Sequence, residues 1–359
     1  MTEFQRPNIL AMTGYTPGEQ PSDPATIKLN TNENPFPPSP EVFEALNNFD
    51  VASLRRYPNP TASEFRAAAA SLHGISPEHI IATRGGDELL RLILTTFVDP
   101  GERVAVAEPS YSLYPVLTEI QGGELVDLGL TQDWKLDAHF VGRANEAQCK
   151  VAFIVNPHAP SGTLLDEASL RNIAASFKGL ILIDEAYDDF VADLNHDLTR
   201  LAVEAHNVIL LRTLSKGYGL AGLRFGYGVG HTQLIEPMLT KTRDSYNLDA
   251  ISQTLALAAI KDQAYKESTQ RMVIEARDEL QTALSLLGFT TVPSQANFLL
   301  AAVPQSGLPA VEIYRALKEK RILVRYFDQD RLRDKLRITV GTPVENQRLI
   351  EALREILST

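Results

Sequence analysis

From residue 79 onward, short apolar runs alternate with stretches whose apolar residues recur at helical spacing, and this alternation limits the fold more than any other feature. The runs at 80–83, 104–107, 151–155, 180–183 and 208–211 have the length of strands and are apolar almost throughout. A strand without a polar face is covered on both sides, as parallel strands are when helices pack above and below them. The succession therefore predicts an α/β domain with a mostly parallel central sheet flanked by helices. After 80–83, Gly85-Gly86-Asp87 opens a helix with Leu89, Leu90, Ile93, Leu94 and Phe97 on one face. Beyond about residue 245 the pattern changes to a long helical region, 251–287, then strands at 298–302, 322–324 and 336–340 and a final helix from about 344. That change marks a second, smaller domain.

Sheets of this kind place ligands at the carboxyl ends of their strands. The run 180–183 ends in Asp184, followed by Glu185, Ala186 and Tyr187, and the run 208–211 leads through Thr213 and Ser215 to Lys216. Taken alone, Lys216 is equally a loop lysine or an amine whose pKa is lowered for Schiff-base chemistry. Asp184 likewise reads as a capping aspartate or as the partner of a cationic ring nitrogen. The neighbours favour the second reading in each case. The hydroxyls of Thr213 and Ser215, with Arg224 eight residues past the lysine, offer neutral donors and one cation to a phosphate monoester. Gly86 and Asp87 open a helix whose first amides can approach the same anion. A carbonyl compound that carries a phosphate is pyridoxal phosphate.

The motif Thr213-Leu214-Ser215-Lys216 with Gly222-Leu223-Arg224 resembles that of the fold-type-I pyridoxal-phosphate-dependent aminotransferases, class II, and among them the histidinol-phosphate aminotransferase family. The likeness runs from Tyr15 to the stretch Leu336-Arg337-Ile338-Thr339-Val340-Gly341-Thr342. It implies an N-terminal arm at 1–40 that joins the small domain, a large cofactor-binding domain at 41–245, and an α+β small domain at 246–359 with a long connecting helix. It also implies that Lys216 carries the cofactor, that Asp184 pairs with the ring nitrogen, and that Tyr187 donates to the ring oxygen while Tyr111 stacks on the ring. Gly86, Asp87, Thr213, Ser215 and Arg224 would hold the phosphate, with Tyr57 reaching across a homodimer interface. Tyr15, Asn32, Arg325 and Arg337 would bind substrate. From their own surroundings, Tyr15 and Tyr57 are loop aromatics, the Lys28 to Pro40 segment reads as turn chemistry, and the arginines read as exposed strand residues.

The reaction implied is transfer of an amino group from histidinol phosphate to 2-oxoglutarate in histidine biosynthesis. An aromatic amino-acid aminotransferase and a threonine-phosphate decarboxylase share the cofactor residues. A cofactor-binding sensor module of a transcription regulator is the non-enzymatic alternative, and it needs a basic DNA-binding domain. The chain's formal net charge of -11 disfavours that alternative, and nucleic acid in general. One cysteine, Cys149, rules out an intramolecular disulfide, and no apolar run is long enough to cross a bilayer, so a cytoplasmic protein is expected. The histidines are scattered, and no spacing suggests a metal site. One position departs from the family pattern. Most members have asparagine before Pro-Ser/Thr-Gly, as a donor to the cofactor's ring oxygen, and this chain has Ala159. His158 and Asn156 are the nearest possible replacements.

Overall fold

Thirteen strands form three sheets in the computed structural model, which describes residues 4–192, 196–305 and 307–358. β1 (Ile27–Lys28) lies in the N-terminal arm. It is followed by β2 (Ile80–Thr83), β3 (Arg103–Val106), β4 (Glu124–Asp127), β5 (Cys149–Val155), β6 (Leu180–Asp184), β7 (Val208–Thr213) and β8 (Gly226–Gly230). The last five are β9 (Thr290–Thr291), β10 (Phe298–Ala302), β11 (Ile322–Leu323), β12 (Arg325–Tyr326) and β13 (Lys335–Thr339).

The large sheet has the order β2-β8-β7-β6-β5-β3-β4, and only β8 runs antiparallel to its neighbours. Its apolar strands feed two separate layers, because successive side chains leave a strand on opposite faces. Ile181 and Ile183 of β6 and Val208 and Leu210 of β7 enter one layer with Phe65, Leu170 and Leu255. Leu180, Leu182, Ile209 and Leu211 enter the other with Leu89, Ile93 and Tyr114. Each such side chain removed from water contributes about 1.5–3 kcal/mol before chain entropy is subtracted.

The C-terminal part is built on an antiparallel sheet, β12-β13-β10-β9, beneath the helices Gln263–Leu286, Ala310–Glu319 and Pro343–Leu357. The arm belongs to this part at one end, where β1 pairs in parallel with β11 and Ile27 and Leu29 enter the core. At its other end Arg6 Nη2 and Asn8 Nδ2 donate to the carbonyls of Ile120 and Glu119, each at 2.7 Å. It therefore straps the two halves together. Among the described residues no helix is long and apolar enough to cross a membrane.

Two expected elements differ in the structure. The helical region 251–287 is two helices, Ala250–Lys261 and Gln263–Leu286, broken at Asp262. The Asp262 carboxylate caps the second helix at the Tyr265 amide and also accepts from the Ser39 hydroxyl, so it starts a new axis. The first helix packs Leu255, Ala256, Ala259 and Ile260 into the core of the large sheet. The run 322–324 forms only β11, Ile322–Leu323, which pairs with the arm, and β12, which pairs with β13, begins beyond it at Arg325.

Gly226 on β8 sets how closely that strand approaches the Gly85-Gly86 turn. A Cβ there would lie 2.9 Å from the Arg212 carbonyl oxygen, 3.0 Å from the Gly85 carbonyl carbon and 3.2 Å from the Gly86 nitrogen, all backbone atoms. Gly226→Ala should lower unfolding free energy in urea by about 1–3 kcal/mol, the usual cost of overpacking. Gly142→Ala, with nothing within 4 Å of its added carbon, should not destabilise.

Candidate active site

The carboxyl ends of β6 and β7 open into a cavity of about 630 Å³. Asp184, the last residue of β6, is 5% exposed. Its Oδ2 accepts from Tyr114 Oη at 2.7 Å and its Oδ1 from the Ala186 amide at 3.0 Å. Burial lifts this carboxyl to about 6, against the opposing pull of both hydrogen bonds. Lys216 follows β7 by three residues, and its Nζ donates to the Thr31 carbonyl at 3.0 Å and lies 5.7 Å from the centre of the Tyr187 ring. Burial lowers its amine to about 8, with the positive charge of Arg337 adding to the effect and Glu33 opposing it. Tyr187 Oη accepts from Asn32 Nδ2 at 2.9 Å, which leaves the phenol proton free to be donated.

At another wall of the cavity the helix Gly85–Phe97 begins without a side-chain cap, so its first amides have no local side-chain acceptor. Gly86 and Asp87 line the cavity there together with Thr213, Ser215 and Arg224. Arg224, at φ 58°, donates from Nη2 to Asp87 Oδ2 and from Nη1 to the Ala221 carbonyl, both at 3.2 Å. Gly85 has φ 76°, which favours glycine, and a Cβ on it would fall 2.9 Å from Arg224 Nη2 and displace that guanidinium. Uncapped amides, two hydroxyls and one guanidinium are a donor set suited to a phosphate dianion. A buried carboxylate suits a ring N–H, a weakly basic amine suits an aldehyde, and Tyr111 on the cavity wall suits a ring face. These residues fit pyridoxal phosphate.

The third group is Tyr15, Arg325 and Arg337. Arg337 Nη2 donates to the Asn30 carbonyl at 3.1 Å, while its buried Nε has no partner. Its guanidinium carbon lies 5.3 Å from the Phe298 ring centre and 5.4 Å from that of Phe327, and Arg325 lies 5.1 Å from Phe327. Among the described residues neither arginine forms an ion pair, although burial disfavours the charge of Arg337. Tyr15 lines the cavity with its ring edge-on to Tyr111, the centroids 6.1 Å apart.

The structure thus brings together every sequence-derived site residue except Tyr57, which is 80% exposed and stacked on Tyr246 at 4.4 Å. Ala159 lines the cavity, whereas the two possible substitutes for an asparagine there do not. Asn156 Nδ2 donates to the Leu165 carbonyl at 3.3 Å, and His158 Nδ1 is bound to Ser161 Oγ at 2.7 Å while its buried Nε2 has no partner among the described residues.

Sequence reasoning missed Tyr114, an aromatic at the start of the helix Leu113–Gln121 that no local signal separates from core packing. It also missed Asn34, whose amide donates to the carbonyls of Lys216 and Gly217 at 3.0 and 3.1 Å, and Phe327 between the arginines. Glu185, Asp188 and His196 meet with ligand atoms within 4.8 Å of one another, contrary to the absence of a metal-like cluster in the spacing. Arg212 already supplies the cation there, with Nε 2.8 Å from Glu185 Oε2 and Nη2 3.6 Å from Asp188 Oδ2.

Sheet order, arm and cavity together define a pyridoxal-phosphate enzyme of fold type I. Residues 24–353 match the aminotransferase class I and II family. Histidinol-phosphate aminotransferase 1 of Nostoc sp. is 44% identical over 360 residues, spanning 100% of this chain and 99% of its own. The histidinol-phosphate aminotransferase of Geotalea uraniireducens is 42% identical over 352 residues, or 98% and 99% of the two chains. The crystal structure of histidinol-phosphate aminotransferase from Sinorhizobium meliloti in complex with pyridoxal-5'-phosphate shares the fold, with a TM-score of 0.91, 23% identity and coverage of 100% of this chain and 98% of that one. The chain belongs to the class I and II aminotransferases and, within them, to the histidinol-phosphate aminotransferase family.

Trace labelling of the apoprotein with acetic anhydride, read by peptide mass spectrometry, should show Lys216 gaining reactivity with a midpoint near pH 8. An ordinary lysine has its midpoint at about 10.4. Arg337→Met should move the midpoint upward by removing a nearby cation, and a wild-type midpoint near the ordinary value would refute the electrostatic account.

Proposed function

We propose that this chain transfers the amino group of L-histidinol phosphate to 2-oxoglutarate, yielding imidazole acetol phosphate and L-glutamate, as a cytoplasmic enzyme of histidine biosynthesis. The observation that carries the substrate assignment is Arg337, a half-buried arginine with no acidic partner among the described residues and a buried, unpaired Nε, in the same cavity as Arg325. A cation kept in that state is completed by an anionic ligand. The names of the relatives agree with a phosphate-bearing amine as that ligand.

Bound pyridoxal phosphate supplies an aldehyde carbon to receive the amino group and a protonated ring to withdraw electrons. Asp184 keeps a carboxylate beside the ring nitrogen and so holds the proton there. Lys216 anchors the group through Nζ. Once displaced by the incoming amine, its free amine would take the proton from the substrate carbon that bears the nitrogen and deliver it to the cofactor's former aldehyde carbon, C4′. An amine with a pKa near 8 is suited to both duties at neutral pH. Tyr187, steadied by Asn32, donates to the ring oxygen, and Tyr111 covers the ring face. The amides of Gly86 and Asp87, with Thr213, Ser215 and Arg224, hold the phosphate, and Tyr57 adds a hydroxyl from the second subunit of a homodimer. Tyr15, Arg325 and Arg337 receive the substrate's phosphate and, in the second half-reaction, a carboxylate of 2-oxoglutarate.

The test is a single-turnover half-reaction in which holoenzyme is mixed separately with histidinol phosphate, phenylalanine and threonine phosphate. Fast conversion of the cofactor to its amine form with histidinol phosphate is expected. A faster reaction with phenylalanine, or carbon dioxide release from threonine phosphate, would overturn the assignment. Arg337→Met should lower kcat/KM for histidinol phosphate by roughly hundredfold or more, the scale of removing one partner from a buried charge pair.

The ring oxygen has one fewer donor where Ala159 replaces the usual asparagine. Ala159→Asn should therefore lower the pH at which the bound cofactor's absorption spectrum titrates, because an added donor stabilises the oxyanion. An unchanged or higher midpoint would contradict this reading of the turn.

A further inference from the structure

We infer that Tyr114 is a positioning residue for the reaction: its hydroxyl donates to Asp184, keeping that carboxylate ionised so that the proton stays on the ring nitrogen of bound pyridoxal phosphate. The inference rests on the cofactor reading above and concerns a residue outside the cavity's wall.

Tyr114 is the second residue of the helix Leu113–Gln121 and is fully buried. Its ring is fixed edge-on to Tyr111, at 5.5 Å and 90°, and tilted against Phe153 at 4.9 Å. That packing aims the hydroxyl at Asp184 Oδ2, 2.7 Å away. A phenol has one proton to give, and burial beside a carboxylate pushes its pKa well upward, so Tyr114 remains the donor of this bond.

The consequence lies in the competition for one proton between Asp184 and a pyridine nitrogen. Desolvation makes the carboxylate more basic, and the charge of Asp87 adds to this, while Lys216, the Ala186 amide and Tyr114 act the other way. Among these opposing groups the tyrosine hydrogen bond is the first in size. A hydrogen bond to the charged form lowers a carboxylate's basicity by about one to two pH units. The less basic the carboxylate, the more the shared proton resides on nitrogen and the stronger the electron sink becomes.

The test uses holoenzyme loaded with pyridoxal phosphate labelled with nitrogen-15 in the ring, whose resonance reports protonation. In Tyr114→Phe the resonance should move toward the neutral-pyridine position, and kcat should fall about 10- to 100-fold with little change in substrate KM. Replacing Tyr114 by 4-aminophenylalanine, which keeps the shape and offers a weaker donor, should give an intermediate resonance and keeps the test available if the phenylalanine variant folds poorly. A merely structural tyrosine would lower melting temperature or cofactor affinity yet leave the resonance of both variants at the wild-type value, and that result overturns the inference. If wild-type protein holds the label but does not react with histidinol phosphate, the substrate assignment fails while the comparison at Tyr114 stands. Wild-type protein that leaves the label free in solution overturns both.

Discussion

Asp184, Lys216 and Arg337 line one cavity, and none of them forms an ion pair among the described residues. Removing such groups from water costs several kcal/mol each unless a partner compensates. The compensation here comes from neutral groups: a tyrosine hydroxyl and an amide for Asp184, a backbone carbonyl for Lys216, and a carbonyl and two ring faces for Arg337. Neutral partners leave the charges poised, whereas a salt bridge would satisfy them. The contrast lies on the neighbouring Glu185, whose Oε2 is paired with Arg212 Nε at 2.8 Å. Adjacent carboxylates thus differ in kind of partner, the first held by neutral donors and the second by a cation.

Holding poised charges requires rigid supports, and the arm supplies the connection between them. Asn32 donates its backbone N–H to Thr339 Oγ1 at 3.0 Å and its side-chain amide to Tyr187, and its carbonyl accepts from Asn297 at 3.0 Å. Two residues later Asn34 binds the carbonyls of Lys216 and Gly217. Three residues of arm, Asn32 to Asn34, therefore link the loop after β6, the loop after β7 and the small sheet.

Five of the seven strands of the large sheet were legible because burial on both faces leaves them apolar almost throughout, whereas the largely exposed β4 and the glycine-rich β8 offered no such run; the ends of β6 and β7 were legible because a charged residue there follows an apolar run. Motif and spacing also placed Asp184, Lys216 and Arg224 on one cavity. The division at Asp262 was hidden, since apolar spacing continues through it and only the capping contacts with Tyr265 and Ser39 reveal the change of axis. The change of partner after Leu323 was hidden because β12, Arg325–Tyr326, carries no apolar run of its own to mark it as a strand. Tyr114 is invisible by composition, being an aromatic among other buried aromatics until its hydroxyl is seen to meet Asp184. Asn34 reads as an ordinary turn residue before proline. Tyr57 is legible only by resemblance, since nothing within one chain gives its exposed ring a partner in the cavity.

The cavity's construction separates two tasks. Strand ends and helix starts of the large sheet furnish Asp184, Lys216 and the phosphate donors, whereas Arg325 and Arg337 come from paired positions on β12 and β13. In the proposed reaction the first group must stay fixed through both half-reactions, while the second must accept a phosphate in one and a carboxylate in the other. Guanidinium groups suit that double duty, because their fork of donors fits either anion and their charge does not depend on pH near neutrality. Phe327 sits against both arginines, so an aromatic face, itself unable to neutralise them, orients the pair without competing for the anion. The choice between substrates then falls to whatever surrounds the rest of the molecule, which is where Tyr15 and the strap it belongs to close the cavity's wall.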